Sequence, residues 1–214
     1  MIGYYNYTVI LTYMSLVSSV IGMFLASGVG CSGSHPEYAI ICLMVSGLCD
    51  MFDGKIARTK KNRTDAEKNF GIQIDSLCDV ICFGVLPSII GYSVGMNDWI
   101  DIPVLVMFPL CAVIRLAYFN VAEEERQKQT SEVRKVYEGL PVTSVALIFP
   151  VLYSFRREIG ADSFPIVYEV FLFLIAIAFI TRFKVKKPQM KTMMWFIVLG
   201  VVELVWLLYK TKNI

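Results

Sequence analysis

Seven apolar runs, near residues 7 to 27, 38 to 53, 75 to 95, 102 to 122, 140 to 155, 164 to 181 and 192 to 209, fill most of this 214-residue chain. A helix needs about 20 apolar residues to cross a bilayer. Within hydrocarbon every backbone N–H and C=O must be bonded inside its own segment or a closed barrel. Runs of this length and number predict an all-α, polytopic transmembrane helix bundle of six to eight spans, a single membrane domain over residues 1–214. A hydrophobic fraction of 56% and a mean hydropathy of +0.60 agree, since soluble domains are roughly 45–50% apolar. The second run is short and leads straight into Asp50 and Asp53, so its helix is expected to continue past the hydrocarbon; Gly200 and Glu203 interrupt the last.

The net charge of +2 decides little, because the placement of Lys and Arg orients a membrane protein. Six fall from Lys55 to Lys68, four from Arg126 to Lys135 and five from Arg182 to Lys191. The connection at 28 to 37 has none, that at 96 to 101 carries only Asp98 and Asp101, and that at 156 to 163 has Arg156 and Arg157. Positive-inside reasoning therefore predicts a cell-membrane protein with its N-terminus and three basic connections in the cytoplasm. Residues 1 to 6 carry no basic residue, so the first run reads as a retained span. The charged segment 123 to 138 reads as an amphipathic linker at the surface.

Basic residues alternate with apolar spans and form no continuous stripe with aromatics, which argues against nucleic acid as a partner. Cys42, Cys49, Cys78, Cys82 and Cys111 lie in apolar text and Cys31 stands alone in a connection, without a disulfide framework or a C-x-x-C metal pair.

Against this background four aspartates stand out. An ionised side chain at membrane depth costs at least ~2.5 kcal/mol on insertion scales, so carboxylates there need a counter-charge or a polar cleft. Asp50 and Asp53 share a helix face, as do Asp75 and Asp79. Two such pairs facing each other make a four-carboxylate cage suited to hard divalent cations such as Mg²⁺, Mn²⁺ or Ca²⁺, with no histidine or cysteine expected close enough to favour zinc. Gly54 and Gly71 allow close approach one turn from the pairs, and Arg58 offers a planar donor fork for phosphate. Carboxylates, metal, small residues and arginine together describe a diphosphate site.

Asp50-x-x-Asp53-Gly54-x-x-Ala57-Arg58 followed by Gly71-x-x-x-Asp75-x-x-x-Asp79 resembles the signature of the CDP-alcohol phosphatidyltransferases. Arg58 and Gly71 are separated by twelve residues here, more than is usual in that family. Phe70-Gly71, Asp75 to Val80, Phe83 to Pro87, Arg115 to Asn120 and Glu138 to Pro141 resemble in particular the bacterial and archaeal phosphatidylserine synthases, with Tyr118 and Ser15 as departures. The resemblance covers roughly residues 8 to 150.

This resemblance implies a membrane enzyme in which Asp50, Asp53, Asp75 and Asp79 bind two divalent cations, Mg²⁺ or Mn²⁺, that bridge the diphosphate of CDP-diacylglycerol. It implies that Asp79 is also the general base toward the hydroxyl of L-serine, and that Gly54, Ala57, Arg58 and Gly71 line the CDP pocket. It further implies a homodimer. Arg115, near the end of the fourth run, is assigned to lipid phosphate, with snorkelling to the interface as the alternative. Two other functions remain open on the residues alone. One is a sister transferase using glycerol 3-phosphate or inositol phosphate, and the other is a divalent-cation channel or transporter, since intramembrane carboxylates also mark ion paths.

Overall fold

A computed structural model describes residues 3–4, 6–30, 33–129, 136–186 and 190–212. Cys31 lies outside the described residues, and the cysteines at 42, 49, 78, 82 and 111 are free thiols. The chain is a helical bundle. After a 3-10 turn at Tyr7–Val9 come α1 (Ile10–Ala26), α2 (Pro36–Ala57), α3 (Asp65–Asp79) and α4 (Leu86–Ser93), the last two joined without a break by a π-helical stretch, Val80–Val85. The rest comprises α5 (Ile102–Gln129), α6 (Val145–Ser154), the short α7 (Arg156–Ile159), α8 (Phe164–Ile180) and α9 (Met190–Lys212).

Each apolar run falls on helix, and among the described residues three continuous stretches, Tyr7–Ala26, Asp65–Ser93 and Ile102–Arg126, are long and apolar enough to cross a membrane by themselves. Val142–Ser154 and Phe164–Ile180 are shorter apolar helices. As expected, α2 continues past the second apolar run, to Ala57. Two boundaries differ from the sequence reading. The third helix starts at Asp65, ten residues before the apolar run, because Thr64 and Glu67 form a reciprocal capping box that satisfies the first free N–H groups. The segment after residue 122 is no surface linker at its start. It prolongs α5 to Gln129, held by Arg126–Glu123 (2.6 Å) and Lys128–Glu124 (2.8 Å) pairs at helical spacing.

With lipid outside, burial of apolar surface does not drive helices together, and close packing of small residues with hydroxyl hydrogen bonds takes over. The α1–α2 seam follows this rule. A Cβ at Gly22 would lie 2.9 Å from Cys42 Cβ. Ser46 Oγ donates to the Ser15 carbonyl at 2.9 Å, Ser15 Oγ to the Ser46 carbonyl at 3.2 Å and Ser18 Oγ to the Cys42 carbonyl at 3.0 Å, while the Ser19 and Ser46 hydroxyls meet at 2.8 Å. Farther across the bundle Phe149 stacks on Tyr168 at 4.8 Å between centroids, and the Tyr168 hydroxyl donates to the Pro87 carbonyl at 3.0 Å, locking α8 to α4.

The N-terminal segment and the α2–α3 connection meet at one end. Asn6 Nδ2 donates to Glu67 Oε1 (3.4 Å) and Tyr7 Oη meets Thr59 Oγ1 (3.2 Å), so the N-terminal segment rests on the α2–α3 connection. A two-stranded antiparallel ribbon pairs β1 (Val136–Glu138) with β2 (Lys184–Lys186) in the register Tyr137 opposite Val185.

Candidate active site

The acidic pairs sit at this same end, on the last turns of α2 and the inner half of α3. Asp50, Asp75 and Asp79 each offer a carboxylate oxygen, and these three oxygens lie within 4.8 Å of one another. Asp79 is buried and Asp50 and Asp75 half-buried. Asp53 completes the set from the α2 side: its carboxylate neighbours that of Asp75, and Thr12 Oγ1 of α1 donates to Asp53 Oδ2 at 3.3 Å. The π-helical stretch begins directly after Asp79. Such wide turns inside α-helices are frequent at functional sites. Gly84 within it packs tightly on α5, where a Cβ would stand 3.2 Å from Ala112 Cβ.

The donor set fits a divalent cation. Oxygens bound at about 2.1–2.5 Å to one ion stand at most ~5 Å apart, the span these three carboxylates cover. Asp75 Oδ1 is buried with no hydrogen-bond partner, an acceptor that protein donors leave unsatisfied. Among the described residues no lysine or arginine forms an ion pair with any of the four aspartates. Cys49 and Cys78 are buried beside the pairs in sequence, yet the group able to hold an ion is made of carboxylates alone, the hard-cation pattern.

Gly54 is exposed, and a Cβ there would meet only Arg58 Nη2 at 3.8 Å. Arg58 folds back along its own helix, Nε donating to the Gly54 carbonyl at 3.0 Å, and its exposed guanidinium faces outward over that open surface. Ala57, half-buried, ends α2. The close approach that Gly71 permits is taken by a protein group: Arg63 Nη2 would stand 2.7 Å from a Cβ at this position. Arg115 is buried in α5, donates from Nε to the Leu140 carbonyl at 3.2 Å, and lies 5.7 Å from the Phe119 ring centroid. It thereby braces the turn at Gly139, whose φ of +75° suits glycine alone. The sequence alone gives no sign of Thr12 and shows Arg63 only as part of a basic, positive-inside loop that could also attract anionic donor lipid; both make contacts between elements that spacing along one helix does not encode.

A family model described as CDP-alcohol phosphatidyltransferase matches residues 5–180, which span every element from α1 to α8. The chain belongs to the CDP-alcohol phosphatidyltransferase family. Within that family it is similar to proteins named CDP-diacylglycerol–serine O-phosphatidyltransferase. It is 37% identical to that of Saccharomyces cerevisiae over 56% of this chain and 43% of the relative. The one from Helicobacter pylori is 27% identical over 95% of this chain and 80% of the relative. The archaetidylserine synthase of Methanothermobacter thermautotrophicus is 34% identical over 63% of this chain and 54% of the relative. The chain thus spans well under half the length of the yeast relative and likewise of a Mycobacterium leprae relative, 43% and 41%. No solved structure matches it.

Proposed function

We propose that this phosphatidyltransferase makes phosphatidylserine and CMP from CDP-diacylglycerol and L-serine, at the cytoplasmic face of the membrane. The observation that carries the reading is the convergence of Asp50, Asp75 and Asp79 from two helices on one small oxygen-lined space. The relatives' names supply serine as the acceptor.

Asp50, Asp75 and Asp79, with Asp53 beside Asp75, would hold Mg²⁺ or Mn²⁺, expected as a pair. Bound there, the ions supply neutralisation of the diphosphate charge as the leaving group departs. The chain's own residues do the rest. Gly54 keeps the α2 surface open for the CDP moiety, and Arg58 lies across it with guanidinium N–H groups for a phosphate or ribose oxygen. Arg115 is assigned to the lipid side of the donor.

Asp79 takes the proton of the serine hydroxyl on a carboxylate oxygen. The serine Oγ forms a bond to the lipid-linked phosphorus while the bond from that phosphorus to the CMP oxygen breaks, its electron pair leaving with CMP. Serine is a poor nucleophile when protonated, so a base held in place is needed, and a carboxylate works there through geometry more than basicity. Thr12 holds Asp53 from the α1 side through its hydroxyl.

CMP release by the detergent-purified chain tests this, with CDP-diacylglycerol, Mg²⁺ or Mn²⁺, and L-serine, glycerol 3-phosphate or inositol phosphate offered separately. Release with serine alone is the expected result. Release only with another acceptor would keep the chemistry and change the product, and no release with any acceptor would overturn the transferase reading.

A further inference from the structure

Arg63 sits in the twelve-residue connection between Arg58 and Gly71, among lysines that look like an ordinary basic loop. Its surroundings are not those of a loop residue. Nη1 donates to the Ala57 carbonyl at 3.4 Å, at the end of α2, and Nη2 to the Glu67 carbonyl at 3.2 Å, in the first turn of α3. Ala57 lies one turn after Asp53, and Gly71 one turn before Asp75, each on the face that carries its aspartate. The guanidinium therefore bridges the two helices one turn outside the acidic pairs.

Two independent features indicate that the place is built around this side chain. A Cβ on residue 71 would lie 2.7 Å from Nη2, the far end of a flexible side chain, so a larger residue there shifts the guanidinium tip from its seat. Moreover Nε is buried and has no hydrogen-bond partner among the described residues. A basic side chain serving only to orient a loop would extend to water and leave no donor buried. The connection itself is anchored by the Lys60–Glu67 ion pair (2.6 Å) and the Thr64 cap, which hold Arg63 from both sides.

We propose that Arg63 is a positioning residue of the donor site: seated against Gly71 and braced on the Ala57 and Glu67 carbonyls, it fixes the end of α2 against α3 so that the two acidic pairs close on one cation-bound diphosphate. The inference rests on the donor-site reading above.

A double-mutant cycle in the full chain tests it, using Arg63→Ala, Gly71→Ala, their combination, and Arg63→Lys. The readouts are CDP binding in Mg²⁺, the Mg²⁺ concentration for half-maximal CMP release, KM for CDP-diacylglycerol and for serine, and the unfolding temperature in detergent. Arg63→Ala and Gly71→Ala are each expected to weaken Mg²⁺ activation and CDP binding about tenfold, the size of effect seen when groups orienting metal ligands are removed. KM for serine stays unchanged, and the double variant is no worse than the poorer single one. Arg63→Lys, which keeps the charge and can reach one carbonyl, falls between, at an unchanged unfolding temperature.

Single variants with unaltered constants would overturn the proposal. So would losses that multiply in the double variant, since Gly71 would then serve the ligand independently of Arg63. A fall in all constants in step with the unfolding temperature would reduce Arg63 to scaffold and overturn it as well. Failure of the unsubstituted chain to bind CDP or release CMP would sink the donor reading and the proposal together, whereas normal binding by the unsubstituted chain and its variants alike sinks the proposal alone.

Discussion

Asn120 Nδ2 of α5 donates to Ser76 Oγ of α3 at 2.8 Å, one residue past Asp75. The bond ties α5 to the helix that carries half of the acidic set. Interhelical hydrogen bonds of this kind are worth about 0.6–2 kcal/mol in a membrane. Asn120→Leu is expected to lose about 1 kcal/mol, and if that loss is felt at the carboxylate geometry, CMP release falls about fivefold. Ser76→Ala should cost a similar amount, with the double variant no worse than either, because both remove the same bond. Rates and unfolding temperatures of the three variants check it, and additive losses would show that the two residues act separately.

Replacing Asp79, the proposed base, separates binding from chemistry. Asp79→Asn keeps the shape of the side chain but takes no proton from serine, so turnover is expected to fall by about 10²–10⁴-fold. CDP binding in Mg²⁺ should change far less, because Asp50, Asp53 and Asp75 remain. Single-turnover CMP release beside equilibrium CDP binding is the measurement. Near-normal turnover would remove Asp79 from the role of base.

The proposed cation site predicts metal dependence, with Asp75 Oδ1 buried without a protein donor. Chelation should abolish CMP release, and Mg²⁺ or Mn²⁺ should restore it, as expected of an all-oxygen set. Asp75→Asn removes one negative charge from the group and is expected to raise the half-activating Mg²⁺ concentration at least ~10-fold, comparable with losses at other metal sites whose ligand shells are disturbed. A titration of rate against Mg²⁺ for both proteins reads this directly. Full activity in chelator would exclude the cation site.

Much of this architecture was legible in the sequence, because both the apolar runs and the Asp50/Asp53 and Asp75/Asp79 spacings are local patterns. Seven runs became helices, and same-face spacing did bring Asp50 to Asp75 and Asp79. The early start of α3 was also written locally, in Thr64-x-x-Glu67, but the charged composition of residues 65 to 69 masked it. The same holds for residues 123 to 129, where charges that suggest a linker are paired three and four apart along a helix. Thr12 on Asp53 and Arg63 on Gly71 had no local signature. Each is a contact between elements 41 residues apart or across the α2–α3 connection, set by how the helices pack.

Packing itself gives the last prediction. Gly47 of α2 meets Ala146 of α6 so closely that a Cβ at residue 47 would overlap Ala146 Cβ. Gly47→Ala must push α2 from α6, and overpacking of a close contact costs about 1–3 kcal/mol. Gly47 is three residues before Asp50, on a neighbouring part of the same turn, so the displacement also carries Asp50 relative to Asp79. Both a lower unfolding temperature and a higher Mg²⁺ requirement are expected. Ala146→Gly in the same chain vacates the space the new methyl needs, and should restore the Mg²⁺ requirement while recovering stability only in part, since glycine inside α6 costs up to ~1 kcal/mol against alanine. If Ala146→Gly leaves the Gly47→Ala defect untouched, the α2–α6 contact does not set the position of Asp50.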